Sequence, residues 1–341
     1  MLQYVIALDA MGGDHAPQSV VDGAILAVKA FPDVRIQLYG PAEQLKKLLA
    51  AAPCDRIEIC DAPDVIGMHE SPTLAVRHKV ASSLVQAMLA VKDGRAQALV
   101  SAGSTGAILA GAILRIGRIR GIDRPALAVI LPGRKKPFML LDCGANVDCQ
   151  PQYLSQFGLM GAVYMEKVMG VQQSDVRLVN IGLEAEKGNK LAKDAFILMQ
   201  SQSVYHFGGN IEAREVPMGV CDVVVADGFD GNLILKYTEG LSSAMVGMLK
   251  EELMKNAWTK LGALIVKPAL RAFKGKLSSE EYGGAPLLGV KGALVKAHGS
   301  ADAKTIMNAV RQARTMIEGD IVSLTEKGVA QMTQAADAAK A

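Results

Sequence analysis

Residues 96–116, AQALVSAGSTGAILAGAILRI, set hydroxyl residues and glycines between two apolar runs. The spacing predicts a buried strand from Ala96 to Val100, a loop from Ser101 to Gly106 and a helix from about Ala107. A helix start leaves about four backbone N–H groups without partners and carries roughly half a positive charge, so anions settle there. Gly103 and Gly106 keep bulk away from the backbone, and Ser104 and Thr105 offer hydroxyl donors. The loop is therefore a candidate phosphate cradle. The same residues would also serve a plain strand-to-helix turn in which Ser104 or Thr105 is only the N-cap.

Other residues able to move protons or bind anions follow further apolar runs. Asp9, Asp14 and His15 come after Tyr4 to Leu8. Glu70 lies just before a helix predicted through residues 73–94, on which Arg77 and Lys79 stand near the start and Lys79, Ser82 and Ser83 share a face. Asp142 and Asn146 follow Phe138 to Leu141, and Glu184, Glu186, Lys187 and Asn189 follow Val176 to Asn180. Asp227, Asp230 and Asn232 follow Cys221 to Ala226, ahead of a helix at about 233–249. His298 follows Ala293 to Ala297, with Ser300 expected to cap a final long helix.

The elements that must position these residues alternate as strand, Gly-rich loop, helix. That order predicts an α/β fold built on a doubly wound, mostly parallel sheet, and a single domain over 1–341. In such sheets the ligand crevice lies at the carboxyl ends of the strands, so the loops are expected to share one edge.

Several chemistries are excluded by inspection. No two glycines are separated by a single residue, so G-x-G-x-x-G is absent, as are the P-loop, H-E-x-x-H and G-x-S-x-G patterns. The five cysteines form no C-x-x-C pair and have no His partner at zinc spacing, so no metal is expected and a reducing cytoplasm suits them. Cys143 is the best-placed nucleophilic thiol, although a buried Cys is usually a small hydrophobe. A net charge of +3 with 4% aromatic residues argues against nucleic acid. No signal-like start and no apolar run of about 18 residues is present.

Residues 250–276 combine Trp258, Leu261, Leu264 and Ile265 with lysines and arginine and no acid after Glu252. Such a segment suits an anionic bilayer surface or a helical hairpin in a dimer interface, and Pro268 is expected to kink or split it. A projecting hairpin over 240–276, with a dimer contact and a membrane-facing tip, accommodates both readings.

Taken in order, ALDAMGGDHAP (7–17), MHESPTLAVRHKVASS (68–83), SAGSTGA (101–107), DCGAN (142–146), NIGLEAEKGN (180–189), ADGFDGN (226–232), YGGAPLLG (282–289) and AHGSAD (297–302) closely resemble the PlsX family of phosphate acyltransferases. The resemblance spans nearly the whole chain. It implies a homodimer similar in fold to phosphotransacetylases and isocitrate dehydrogenase-like enzymes, working without a cofactor at the inner face of the cell membrane. It further implies acyl transfer from acyl-[acyl carrier protein] to inorganic phosphate, giving acyl phosphate for phospholipid synthesis by a membrane-bound glycerol-3-phosphate acyltransferase. Phosphate would be the nucleophile, held by Gly103, Ser104, Thr105 and Gly106 with Arg77 and Lys79 nearby. Lys187 or Arg77 would balance its charge. Asn146, Asn189 or backbone N–H groups would stabilise the oxyanion, and His15 or His298 would protonate the leaving thiolate. Asp9, Asp14, Glu70, Asp142, Glu186, Asp227 and Asn232 would complete the site loops. A phosphotransacetylase acting on acyl-CoA and a non-catalytic membrane scaffold are the rival readings.

Overall fold

The computed structural model describes residues 4–50, 52–276 and 282–338. The first part alternates β1 (Tyr4–Asp9), α1 (Gln18–Ala30), β2 (Val34–Gly40), α2 (Ala42–Leu49), β3 (Ile57–Asp61), α3 (Pro72–His78), α4 (Ser83–Lys92), β4 (Ala98–Ser101) and α5 (Thr105–Gly111), which a π-turn continues over Ala112–Ile116. Next come β5 (Ala126–Leu131), β6 (Phe138–Leu141), α6 (Pro151–Lys167), β7 (Asp175–Asn180), α7 (Lys190–Gln200), β8 (His206–Glu212) and β9 (Val223–Val225). The chain continues with α8 (Gly228–Leu253), α9 (Ala257–Lys276), β10 (Ala285–Leu288), β11 (Ala293–Lys296), α10 (Ala303–Glu318) and α11 (Ile321–Ala338).

All the strands join one eleven-stranded sheet in the order β3-β2-β1-β4-β11-β10-β5-β6-β9-β7-β8. The α/β expectation holds, with one modification. Strands β1 to β4 and β11 are parallel, as are β6 to β9 among themselves, but three antiparallel pairs, β11–β10, β10–β5 and β5–β6, lie between the blocks. The two blocks therefore run in opposite directions. Loops after β1, β4 and β11 open on one edge and those after β6, β9 and β7 on the other, so the single shared edge expected from sequence is divided in two.

Strand residues alternate between the two faces. One face packs without interruption: Ile6, Leu8, Val100, Ala128, Met139 and Val223 belong to a single apolar cluster covered by α1, α10, α6 and α11. The other face is split. Ala7, Leu99, Leu287 and Leu294 pack under α4 and α5, whereas Leu131, Phe138, Leu140 and Val224 form a separate cluster reached by Leu235 of α8. The cleft between these clusters is where the two sets of loops can meet.

Four local expectations are corrected. The helix predicted through 73–94 breaks between His78 and Ser83, because Ser82 caps a new helix by accepting Val85 N–H at 3.4 Å. Helix α8 begins at Gly228, five residues early, with Asp227 Oδ1 accepting Asp230 N–H at 2.7 Å. Asp302 caps α10 in place of Ser300, its Oδ1 accepting Thr305 N–H at 2.8 Å, and the last helical stretch is divided at Gly319 and Asp320. Pro268 sits within α9 without splitting it, at an exposed position where the carbonyl it frees is open to water. Strands β8 and β10 and helix α7 were not foreseen: β10 reads as a short apolar stretch beside glycines, and β8 carries a glycine pair.

Helices α8 and α9 pack on each other as a hairpin. From Lys236 to Phe273 no side chain is buried, and Tyr237, Met245, Met248, Trp258, Leu261, Leu264 and Ile265 are all exposed.

Candidate active site

The 101–106 loop is held by a buried carboxylate. Asp9, at the end of β1, accepts Ser83 Oγ–H at 2.6 Å on one oxygen and Ser101 Oγ–H at 2.7 Å on the other, with Met11 N–H at 3.3 Å. Ser101 Oγ then accepts Gly103 N–H at 3.0 Å. Burial pushes the Asp9 carboxyl above its usual range while these hydrogen bonds oppose the shift. Three elements, β1, the start of α4 and β4, are thereby fixed to the loop. A Cβ on Gly12 would lie 2.7 Å from both Asp9 Oδ2 and the Gly103 nitrogen, so only glycine lets the two loops touch. The first turn of α3 abuts that of α5, where a Cβ on Gly106 would lie 2.7 Å from Pro72 Cγ. Ser104 makes no capping hydrogen bond, so its side chain leaves the first-turn amides of α5 unserved.

Neighbouring loops close this edge. Asp14 N–H donates to Gly299 O at 2.7 Å, and His298 Nδ1 lies 2.8 Å from Ser300 Oγ. His15 is exposed and lines an open hollow with Gln18, Ser19, Asp22 and Asp302. Lys79 is committed locally, donating to Glu70 Oε1 at 2.7 Å and Val65 O at 2.8 Å. Glu70 also accepts Gly67 N–H at 2.6 Å, and its carboxyl is held below the usual range, chiefly by Lys79. The pair shapes the 64–72 loop, so Lys79 is not a free cation for phosphate. Arg77 is exposed on α3.

The second group forms around Asp142, which is fully buried. Its Oδ1 accepts Leu127 N–H at 3.0 Å and Ala145 N–H at 3.1 Å, and its Oδ2 accepts Asn146 N–H at 2.7 Å and Asn146 Nδ2–H at 2.9 Å. The remaining amide hydrogen of Asn146 goes to Pro125 O at 2.8 Å. Asn146 therefore holds its own loop and has no side-chain donor left for an oxyanion. Gly228 N–H donates to Asn146 O at 2.7 Å, and Asn232 packs over Gly144. Asp227 is the α8 cap, and burial with Asp227 alongside raises the Asp230 carboxyl. Cys143 is buried, donates to Leu140 O at 3.3 Å, and burial pushes its thiol well up, which removes it as a nucleophile at neutral pH.

The two groups approach through a narrow crevice lined by Thr105, Ile108, Leu109, Leu127, Ala145, Leu287 and Lys296. Thus Thr105 is brought near Ala145 of the 142–146 loop. Lys187 and Glu186 follow β7, six strands from β4 in the sheet order and on the same edge as the 142–146 and 226–232 loops. Their loop is tied to β8, with Asn210 Nδ2–H donating to Glu184 O at 2.9 Å. Asn189 Oδ1 caps α7 by accepting Ala192 N–H at 2.9 Å. Lys296 was missed from sequence. Its one signal is a lysine ending an otherwise apolar strand, ALVK, directly before AHGSAD.

A family model described as "Fatty acid synthesis protein" matches residues 4–324. The chain is 48% identical over 329 residues to a phosphate acyltransferase of Alkaliphilus oremlandii, covering 96% of this chain and 98% of that one. It is 49% identical over 319 residues to one of Clostridium perfringens, covering 93% and 94%. In fold it is similar to a phosphotransacetylase from Streptococcus pyogenes, with a TM-score of 0.61 at 16% identity over 93% and 94% of the two chains. A branched-chain phosphotransacylase from Enterococcus faecalis V583 gives 0.58 at 14% identity over 92% and 99%. With a matching model along almost its whole length and relatives nearly half identical to it, the chain belongs to the fatty acid synthesis protein family, in which its relatives are phosphate acyltransferases.

Proposed function

We propose that the protein transfers a fatty acyl group from acyl-[acyl carrier protein] to inorganic phosphate, supplying acyl phosphate to a membrane-bound glycerol-3-phosphate acyltransferase in phospholipid synthesis. The observation that carries this reading is the braced 101–106 loop, whose first-turn amides face no capping side chain. Phosphate sits on these amides and attacks the thioester carbonyl directly, so no acyl-enzyme forms. With Cys143 inert and Asn146 committed to its loop, backbone N–H groups or Asn189 take the oxyanion role. Arg77, on the cradle's side, or Lys187, reaching from the β7 side, balances charge, and His15 or His298 protonates the departing thiolate. The exposed apolar face of α8 and α9 supports a homodimer along the hairpin, with Trp258, Leu261, Leu264 and Ile265 touching the membrane at its tip. No helix among the described residues is long and apolar enough to cross a membrane.

The test is acyl hydroxamate trapping with acyl-carrier-protein and acyl-CoA thioesters assayed side by side at varied phosphate. Phosphate-dependent product from the carrier thioester is expected. Product from acyl-CoA alone would favour the phosphotransacetylase reading, which the fold likeness also suits. No product from either would favour a scaffold.

A further inference from the structure

Lys296 occupies an unusual position for a lysine. It ends β11, paired in register with Ser101 of β4 on one side and Ala285 of β10 on the other. Side-chain alternation places it with Leu294 on the split face of the sheet, in line with Ser101 and, one strand further, Asp9. Its Cα is thus about one strand spacing, roughly 4.8 Å, from the residue that opens the 101–106 loop. The side chain lines the crevice that contains Thr105 on one wall and Ala145 on the other, between Ile108, Leu109, Leu127 and Leu287.

The ammonium is poorly matched to these surroundings. Its Nζ reaches Ala297 O at 3.3 Å, and among the described residues it has no carboxylate partner. The charge nearest in effect is another cation: Lys236 of α8, itself 2.8 Å from Glu239 Oε2. Burial first, and Lys236 second, hold the Lys296 ammonium below its usual range. A half-buried ammonium whose side chain lines a partly apolar crevice without a carboxylate partner is stabilised by an anion entering there.

We propose that Lys296, with Lys236 of α8 adding positive charge nearby, binds the inorganic phosphate on the 101–106 loop and fixes its position for attack. This deepens the phosphate acyltransferase reading and rests on it. Lysine is suited to the task because its ammonium is a compact charge on a flexible stem that reaches from the sheet floor to the loop.

The experiment compares wild type with Lys296→Met, which keeps length and removes charge, and Lys296→Arg, which restores charge. The full chain is titrated with inorganic phosphate by calorimetry and assayed for acyl phosphate at varied phosphate and varied thioester. Lys296→Met should weaken phosphate affinity and raise the phosphate KM by about tenfold or more, the thioester KM staying within about twofold, and Lys296→Arg should recover most of the loss. Phosphate affinity and phosphate KM within about twofold of wild type in Lys296→Met would overturn the assignment, as would equal rises in both KM values, the mark of a structural defect. Should Lys296→Met not fold, Lys236→Met at its exposed site reads the same pair: a phosphate KM about threefold higher supports it, and an unchanged one overturns it. Absence of acyl phosphate from wild type with any thioester would instead overturn the underlying activity, leaving the calorimetric comparison to judge the lysines.

Discussion

One added methyl group at Gly12 tests whether the 9–17 loop sets the geometry of the proposed phosphate cradle at 101–106. A Cβ there would lie 2.7 Å from Asp9 Oδ2, 2.7 Å from the Gly103 nitrogen and 3.0 Å from Ser101 Oγ. Ordinary contacts begin near 3.4 Å, so the cradle backbone and its brace must retreat by roughly 0.7 Å or the loop must lift away. Neither neighbour is the free end of a flexible side chain. Overpacking of this kind costs about 1–3 kcal/mol. With an unfolding entropy of about 2.1 cal/mol/K per residue, the 341 residues give roughly 0.7 kcal/mol/K, so Tm should fall by about 1.5–4 °C. The effect on chemistry should be larger, because a misplacement of about 1 Å costs on the order of 100-fold. Gly12→Ala is therefore expected to reduce kcat/KM for phosphate by about 30- to 100-fold while the fold survives. Gly240→Ala is the matched control. Gly240 lies within α8 with nothing inside 4 Å of the added carbon, so the same methyl should stabilise the helix by about 0.5–1 kcal/mol. Differential scanning fluorimetry and hydroxamate trapping at varied phosphate read both variants. A Gly12→Ala protein with wild-type Tm and wild-type phosphate KM would refute the reasoning that this contact holds the cradle in place.

Arg314 grips Asp33 through bonds of 2.6, 2.9 and 3.1 Å and so ties α10 to the turn before β2, holding the Asp33 carboxyl below its usual range. A lowered carboxylate contributes stability above its unfolded pKa and loses it as pH falls through the folded one. Arg314→Met should therefore cost about 1 kcal/mol in urea denaturation at neutral pH, and the gap from wild type should close below about pH 4. Cys143→Ser should keep wild-type turnover, since burial keeps its thiol protonated; loss of activity with an intact fold would reinstate a covalent route. Vesicles containing anionic lipid should sediment wild type and release Leu264→Glu/Ile265→Glu, whose side chains stand on the exposed face of α9; equal binding would remove the hairpin tip as the lipid contact.

The positions of the candidate loops were legible because strand-loop-helix units are local. The Asp9, Gly103–Gly106, Asp142 and Asp227 loops were each found from residue types and spacing, and each lies at a strand end. Roles within those loops were less legible. Lys79 and Asn146 have side chains of the right chemistry, yet one is bound to Glu70 and the other to Asp142 and Pro125. Which donor meets which acceptor depends on contacts too specific for spacing to reveal.

From sequence alone came most of the element types, the strand-loop-helix form of the 101–106 turn and the amphipathic nature of the hairpin, because backbone hydrogen bonding and hydrophobic periodicity act over a few residues. Tertiary structure alone decided which loops meet. The three antiparallel pairings in mid-sheet reverse the second block of strands, which divides the loops between two edges, puts the 181–189 loop on the edge opposite the end of β4 and leaves the crevice that Lys296 lines. Strand direction is fixed by pairings between segments far apart along the chain, such as Leu287 with Leu127, and no local pattern encodes them.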